Sequence, residues 1–388
     1  MADDEQAVIT MKEQERVRKL LENGKLWDKI VFEELEKKHI GDLEAKEIVF
    51  LCSLGRLVKN KKPYSFNVIA HSASSAGKDH LISSVLGLFP PIDVENYGRI
   101  SPRALNRLHD RTLDPEWTYD GKILYLEEIE ENVLNNEVMK VFTAGSNKSA
   151  IVTDRSVKIF EPKGKPVVFT TTATTIPTEE ILNRFVIVKL DESEEQTRRT
   201  FLADDLPYNE AIRLFLCNLK PMIVEIPFEK KIAKVFPATK TRHRRDYQRF
   251  LDWVRAVAIF NQALRYGHTT ETIKAELADY DIAKEAFMHA CSGVADIPLK
   301  QIDKKIVEVL KKADEPLSAR EISQFMEGYI SQRGLYPRLD NLVNKGVLEV
   351  LELRESFSHL KNMPVTKYAL SQEFTEKNPI KLPNSDDL

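Results

Sequence analysis

Glycine, cysteine and long apolar runs are all scarce in this sequence, and each scarcity excludes a class of protein. Glycine supplies 14 of the 388 residues, about half of the usual ~7%, which excludes collagen-like and low-complexity chains. The three cysteines lie far apart with no Cys-x-x-Cys pair, so we expect neither a disulfide framework nor a zinc site. No apolar run reaches the ~18 residues that cross a bilayer, and the acidic first residues argue against a signal peptide. We therefore expect a cytoplasmic protein that makes no membrane contact.

An excess of either charge is also missing. Lys and Arg number 57 and Asp and Glu number 60, which leaves a net charge of −3. Any contact with nucleic acid must therefore use local clusters of basic residues. Hydrophobic residues at 42% and charged residues at 30% are typical of a soluble globular protein, and the length allows two or three domains.

The spacing of apolar residues predicts helices around an α/β core. Residues 11–60 have helical spacing, and short apolar runs then alternate with helical segments. This alternation predicts a mostly parallel sheet with helices on both faces. The predicted strands are Phe66–Ala70, Tyr97–Ser101, Ile123–Glu127, Pro166–Thr172 and Phe185–Leu190. Helical patterns return over 194–203, 208–219, 241–266 and 270–290.

The first predicted strand leads through a loop of small residues into a helix, an arrangement that binds phosphate. Backbone N–H groups of the loop and of the helix start surround the anion, and Gly77-Lys78 resembles the end of the P-loop pattern. Ser72 replaces the first glycine of that pattern. Asp79 replaces the usual hydroxyl residue, so we expect its carboxylate to contact a metal ion. The candidate nucleotide contacts are Ser72, Ser74, Ser75, Ala76, Gly77, Lys78, Asp79 and His80.

Two acids end another predicted strand. Glu127 and Glu128 follow the apolar run from Ile123, which predicts a position at the carboxyl edge of the sheet, where ligands bind in such folds. Glu127 would hold the metal and Glu128 would polarise the attacking water. The other interpretation is a strand that runs into an acidic, solvated helix start, because Glu130 and Glu131 follow.

Together with the strand that ends in Thr171 and Thr172, these segments resemble AAA+ ATPases over roughly residues 44–290. The resemblance implies ATP and Mg²⁺ as cofactors and a γ-phosphate sensor at Thr172, or else Thr171. It also implies that Arg184, which precedes Phe185, acts on the nucleotide of a neighbouring subunit as an arginine finger. A surface ion pair is the alternative for this arginine.

The resemblance further implies a lid helix whose arginine closes on the nucleotide. Arg245 is the first candidate and Arg244 the second. The alternatives are a solvated basic face and a DNA contact, since residues 228–266 hold ten Lys or Arg against three acids.

A predicted β-hairpin over 148–165 interrupts the strand and helix alternation. Residues 140–166 contain six basic side chains against two acidic ones. The insertion resembles the pre-sensor hairpin that lines the pore of hexameric helicases of the minichromosome-maintenance and superfamily-3 kinds, and a solvated edge hairpin is the alternative. We expect single-stranded DNA to contact Arg155, Lys158, Lys163 and Lys165.

Residues 301–372 predict three short helices and a terminal hairpin, and they resemble a winged helix. Ser318 and Glu321 form a capping-box pattern at the start of the second helix. Basic and acidic residues balance at 14 each over 300–388, so both DNA contact and protein contact remain open for this part.

The predicted organisation has five parts. An N-terminal helical segment (1–62) precedes an AAA+ α/β core with a parallel five-stranded sheet (63–192), a helical lid (193–298), a winged helix (299–372) and a flexible tail (373–388). The predicted function is an ATP-dependent DNA helicase for replication of a mobile element, working as a homo-oligomeric, hexameric ring with a primase or initiator as a further partner. The alternatives are an AAA+ initiator or loader that remodels DNA without translocating, and a catalytically degenerate scaffold.

Overall fold

The structure is a computed structural model, and its described residues form two compact units. The first unit is drawn from 1–175, 181–290 and 381–388, and the second from 291–380. The described residues are 2–72, 77–105, 108, 117–144, 148–153, 156–172, 183–201, 206–239, 241–265, 271–292, 301–313, 315–326, 329–330, 332–344, 347–357, 360–370 and 382–387.

A parallel five-stranded sheet forms the centre of the first unit, as the sequence predicts. Its order is β2-β3-β6-β1-β7, and every neighbouring pair runs parallel. The inner strands are rich in Val, Ile and Leu and almost wholly buried, as expected for a parallel sheet covered on both faces. The strands of this unit are β1 Val68–His71, β2 Val94–Tyr97, β3 Ile123–Leu126, β4 Ser149–Thr153, β5 Ser156–Phe160, β6 Val167–Thr172, β7 Val186–Val188, β8 Ile223–Glu225 and β9 Thr272–Lys274.

Two strand predictions need correction. Strand β2 ends at Tyr97, where the predicted strand begins; it is a half-exposed edge strand and so has no continuous apolar run to mark it. Residues from 270 onwards were expected to be helical, but β9 pairs with β8 before the helix starts at Leu277. The β-branched Thr272 and Ile273 favour that strand.

Helices cover the sheet and fill the rest of the first unit. They are α1 Ala2–Glu22, α2 Leu26–Asp28, α3 Leu43–Leu54, α4 Lys78–Leu86, α5 Pro102–Leu105, α6 Glu131–Leu134, α7 Glu137–Thr143, α8 Glu194–Thr200, α9 Glu210–Cys217, α10 Glu229–Val235, α11 His243–Phe260 and α12 Leu277–Ser292. Helix α3 is apolar on nearly all sides, so it lies in the interior and packs against α4 and α11. A π-helical turn, Lys29–Glu34, and a 3₁₀ turn, Leu35–Lys37, follow α2.

The second unit contains three helices and a three-stranded antiparallel sheet around its own core. The elements are α13 Gln301–Lys312, β10 Leu317–Ser318, α14 Ala319–Phe325, α15 Gln332–Asn344, β11 Leu348–Phe357 and β12 Leu360–Leu370. The sheet order is β10-β12-β11. The expected capping box is present, because the Ser318 side chain accepts from the Glu321 N–H and the Glu321 carboxylate accepts from the Ser318 N–H.

The last described residues, 382–387, return to the first unit and contact α12. The Tyr280 hydroxyl donates to the Pro383 carbonyl at 2.9 Å, and Lys284 Nζ donates to Asn384 at 2.8 Å. Part of the segment predicted as a flexible tail, residues 383–385, therefore has specific partners. Within the described chain, no helix is both long and apolar enough to cross a membrane.

Candidate functional site

The carboxyl edge of the five-stranded sheet gathers site residues from distant parts of the sequence. Strands β3, β6 and β1 are neighbours and run parallel, so all three end at this edge. Ser72 follows β1, Glu127 and Glu128 follow β3, and Thr172 ends β6. Open parallel sheets bind ligands at such an edge.

Helix α4 begins with the predicted phosphate-binding lysine. Gly77 precedes it with φ of 86°, a left-handed conformation that a residue without Cβ adopts at little cost. The Lys78 side chain is 3% exposed, and its Nζ donates to the Ser72 carbonyl at 3.1 Å. The helix dipole and the ammonium group make this position favourable for an anion. The loop candidates Ser74, Ser75 and Ala76 lie outside the described residues.

Asp79 lies in a hydrogen-bond network that the sequence does not reveal. Its Oδ1 accepts from the Tyr125 hydroxyl at 2.9 Å and from Thr171 Oγ1 at 2.6 Å. Burial raises the pKa of Tyr125, and the nearby charges of Asp79 and Glu127 raise it further. The Asp79 carboxylate is therefore held by hydroxyl groups from two neighbouring strands, β3 and β6.

The two acids after β3 differ in their surroundings. Glu127 is half-buried and its Oε1 accepts from Asn96 at 3.1 Å. Glu128 is exposed and has φ of 43°, a left-handed conformation that is strained for a residue with a side chain. Its N–H donates to Thr171 Oγ1 at 2.9 Å, and the N–H of Ile129 donates to the Thr171 carbonyl at 3.1 Å. These bonds fix the strained turn, and such strain is often concentrated at functional sites.

The two threonines at the end of β6 have different environments. Thr172, the predicted γ-phosphate sensor, is buried beside His71 of β1. Thr171 is the one whose hydroxyl bridges Asp79 and Glu128. The sequence alone does not show which of the two threonines contacts Asp79, and only the strand register in the structure distinguishes them.

A contact between two histidines, His39 and His80, is not predicted from the sequence. His39 Nε2 lies 2.8 Å from Asp42 Oδ2, and its Nδ1 lies 3.0 Å from Nδ1 of His80. In a neutral His39 that donates to Asp42, Nδ1 accepts, and His80 then carries a proton on its own Nδ1. The contact orients a predicted nucleotide-binding residue from a segment 41 residues earlier, and no local motif marks that segment.

Arg184 lies at the other edge of the sheet. The register pairs Val186 of β7 with Val68 of β1, so Arg184 is level with Phe66, five residues before His71. At ~3.3 Å per residue, this is about 17 Å from the carboxyl edge. The structure therefore does not bring Arg184 together with Lys78 of the same chain.

The two candidate lid arginines also lie away from Lys78. The Arg245 guanidinium is 6.0 Å from the ring centre of Tyr64, which precedes β1. Arg249, one turn on, donates to the carbonyls of Tyr64 and Asn183. The first turn of α11, with Arg244 and Arg245, is thus at the amino edge of the sheet. The basic residues in the sequence predict where α11 starts, but they do not predict which edge of the sheet α11 contacts.

The basic hairpin residues occupy different positions. Strands β4 and β5 form the antiparallel pair expected there, with Thr153 opposite Ser156 at the turn. Lys163 is exposed, but Lys165 Nζ donates to the Ala144 carbonyl at 2.6 Å, and burial lowers the pKa of Lys165. Both lie at the base of the hairpin, where the Lys163 carbonyl accepts from the Tyr119 N–H, and not at its tip. Arg155 and the side chain of Lys158 lie outside the described residues.

The donors at the carboxyl edge fit a metal shared with a nucleotide. Among the described residues, no group of three or more His, Cys, Asp or Glu could hold a metal ion. Mg²⁺, however, usually takes one or two carboxylates and completes its shell with phosphate oxygens and water. Asp79 and Glu127 could supply that number of ligands, and Lys78 could supply the charge for the phosphates.

Comparison with known proteins agrees with this geometry. No curated protein matches the chain. A family model described as the MTBMA_p00010 P-loop domain matches residues 9–205, which include the N-terminal helices, α4 and all five strands of the parallel sheet. A P-loop domain of this kind supports nucleotide binding. Because the match covers just over half of the sequence, the chain belongs to the MTBMA_p00010 P-loop domain family.

Proposed function

We propose that this protein is an ATP-dependent, ring-forming DNA helicase with an AAA+ core, which serves replication of a mobile element. The observation that carries the proposal is the placement of Lys78 and Arg184 at opposite edges of one sheet. An arginine at the edge opposite the phosphate site of its own chain is placed to act on another copy. Such sharing of a site requires an oligomer, and a hexameric ring is the form we propose.

The proposed chemistry is hydrolysis of ATP with Mg²⁺, in which the protein mainly positions groups and neutralises charge. Lys78 binds the outer phosphates. Glu127 provides a carboxylate for the metal, with Asp79 as the candidate for a second, and the exposed Glu128 orients the attacking water. Thr172 contacts the γ-phosphate from β6, the strand between β1 and β3.

The proposed path for DNA follows the β4–β5 hairpin. The surplus of basic residues around it supports phosphate contact, which is independent of sequence and suits a motor. Arg155, Lys158 and Lys163 are the proposed contacts. Lys165 is a weaker candidate than the sequence suggests, because its ammonium group is already bonded to Ala144.

The remaining parts of the chain take the proposed roles of lid and winged helix. The described part of 193–298 is mostly helical, although β8 and β9 pair within it. Three helices followed by a two-stranded wing support the winged-helix proposal for 299–372. Its balanced charge leaves the choice between DNA and a protein partner to experiment.

A specific observation favours a second candidate, a catalytically degenerate scaffold. Asp79 stands where a magnesium-binding hydroxyl is usual, and one of its oxygens is already engaged by Tyr125 and Thr171. A nucleotide could then bind without turnover.

The test is ATP hydrolysis and strand unwinding, each measured with and without single-stranded DNA. We expect DNA-stimulated hydrolysis and unwinding in the wild type, with both lost in Glu128→Gln and retained in Glu130→Gln. Glu130 is a matched control because it is exposed and two residues away. Hydrolysis without unwinding would favour an initiator or loader, and binding without hydrolysis would favour the scaffold.

A further inference from the structure

Three elements of the site meet at a single carboxylate oxygen. Asp79 is in the first turn of α4, Tyr125 is in β3 and Thr171 is in β6, and both hydroxyls contact Asp79 Oδ1. A carboxylate oxygen has two lone pairs, so the two contacts fill it. Asp79 can offer a metal only its other oxygen.

The direction of each hydrogen bond follows from the donors. The Glu128 N–H can only donate, so Thr171 Oγ1 accepts from it at 2.9 Å. Thr171 has one hydroxyl proton, which it gives to Asp79 at 2.6 Å. The chain of bonds therefore runs from Glu128 through Thr171 to Asp79.

We propose that Asp79 is a positioning residue, whose carboxylate fixes Thr171 and thereby holds Glu128 in its left-handed conformation. The inference rests on the proposed function, in which Glu128 orients water. It links the start of α4, which follows the phosphate loop, to that glutamate. A shift of α4 on nucleotide binding would then change the position of Glu128.

An oxygen with two free lone pairs is needed at this position because two donors converge on it. Tyr125 is fully buried, and a buried hydroxyl without an acceptor is destabilising. Asp79, which replaces the usual hydroxyl residue, is thus paired with a hydroxyl donor in β3, Tyr125.

The experiment separates positioning from metal binding by comparing Asp79→Ala with Asp79→Asn. Asparagine keeps a carbonyl oxygen that can accept from Thr171 but loses the charge that a metal needs. We expect Asp79→Ala and Thr171→Val each to lower kcat at least about tenfold, as expected when a base is misplaced, with little change in ATP affinity. We expect kcat of Asp79→Asn and of Thr171→Ser to be at least about tenfold higher than kcat of Asp79→Ala and Thr171→Val, at an unchanged Mg²⁺ requirement.

Two results would overturn the inference. If Asp79→Asn is as impaired as Asp79→Ala and needs more Mg²⁺, then Asp79 is a metal ligand. If Thr171→Val hydrolyses ATP at the wild-type rate, Thr171 does not position Glu128.

A second measurement does not depend on activity. Unfolding of the nucleotide-free full chain by urea should show that Asp79→Ala and Thr171→Val are not additive, because each removes the same bond. Additive penalties would contradict the network. If the wild type does not hydrolyse ATP, the proposed function fails. The comparison of unfolding free energies between the single and double variants still decides whether Asp79 holds Thr171.

Discussion

At the scale of single residues, several buried charges join distant segments of the first unit. Asp252 of α11 is fully buried; it accepts from Ser65 Oγ at 2.6 Å and from the Lys62 N–H at 2.7 Å, and burial raises its pKa. It thereby ties α11 to the segment that leads into β1. Asp252 also pairs with Arg255 at 2.6 Å, and removing that cation would leave a buried charge without compensation, which is more destabilising than losing an exposed ion pair.

Lys61 provides a pH-dependent prediction. Its Nζ donates to the carbonyls of Arg56 and Val58, and burial lowers its pKa to about 8 from 10.5, although Asp120 and Asp252 partly oppose the shift. Between these two values the unfolded chain binds more protons than the folded chain, so this residue makes stability rise with pH. The rise in the free energy of unfolding that Lys61 causes between these two pH values is at most about 3 kcal/mol.

The measurement is urea unfolding at two pH values, one just below the folded-state pKa of Lys61 and one about two units higher. The gain with pH should be smaller in Lys61→Met than in the wild type. Lys62→Met is the control, because its side chain is exposed, and it should behave as the wild type. Identical pH dependence in all three proteins would contradict the prediction.

Substitution of Lys163 should weaken DNA binding, whereas substitution of Lys165 should lower folding stability. Because Lys163 is exposed, we expect Lys163→Ala to leave the unfolding free energy nearly unchanged. Its salt slope for single-stranded DNA should be flatter by about 0.7 for each phosphate that is no longer neutralised. Lys165→Ala should instead lower the unfolding free energy by about 1 kcal/mol, since it removes the bond to Ala144. A flatter slope in Lys165→Ala with unchanged stability would reverse these assignments.

Sequence reasoning locates residues that lie in local motifs and misses those that arrive from elsewhere. Lys78 and Glu128 are visible because a strand, a turn and a helix or an acid pair are adjacent in the sequence. Tyr125 contacts a residue 46 positions away, and His39 contacts one 41 positions away. Their side chains are ordinary for a buried strand and a helical segment, so only the folded register shows their role.

At the scale of elements, apolar patterns predict the buried strands well and the edge elements poorly. Strands β3 and β6 lie within one residue of their predicted starts, because both begin with apolar residues and have buried side chains throughout. The half-exposed β2 and the three-residue β9 carry too little pattern to be placed. The side of the sheet that a helix contacts is likewise absent from its sequence, which explains the unexpected position of α11.

The capping box of α14 provides a prediction at this scale. Ser318→Ala removes the acceptor for the Glu321 N–H, and removal of a cap costs about 0.5–2 kcal/mol. Hydrogen exchange of the amides of 319–325 should therefore become faster. Ser323→Ala, in the same helix, should slow exchange slightly or leave it unchanged, because alanine favours helix. Equal exchange in both variants would mean that the cap does not limit opening of α14.

At the scale of the whole molecule, the parallel sheet separates two sets of charged residues. Its carboxyl edge has Lys78 and the acid pair, whereas its amino edge has Arg184 and the first turn of α11. The family match covers the sheet with its N-terminal helices and ends at residue 205. In the proposed ring, the carboxyl edge of one copy and the amino edge of the next together form the site.

Mixing two inactive variants tests that arrangement. Arg184→Ala should bind ATP but not hydrolyse it, and so should Glu128→Gln. Mixed rings should regain some hydrolysis, because some interfaces then have both groups intact. The control is Arg198→Ala, an exposed arginine paired with Glu194, which should hydrolyse ATP as the wild type does. Active Arg184→Ala subunits on their own would exclude a shared site.

The most direct test of the central claim is equilibrium binding of ATP with Mg²⁺, measured by calorimetry. The claim that Lys78 lies in a nucleotide site predicts saturable binding in the wild type and binding weaker by at least about tenfold in Lys78→Ala. Lys12→Ala, which removes an exposed lysine of α1, should bind as tightly as the wild type, and thermal unfolding should show that all three proteins are folded. Equal affinity in folded Lys78→Ala and wild type would contradict the account.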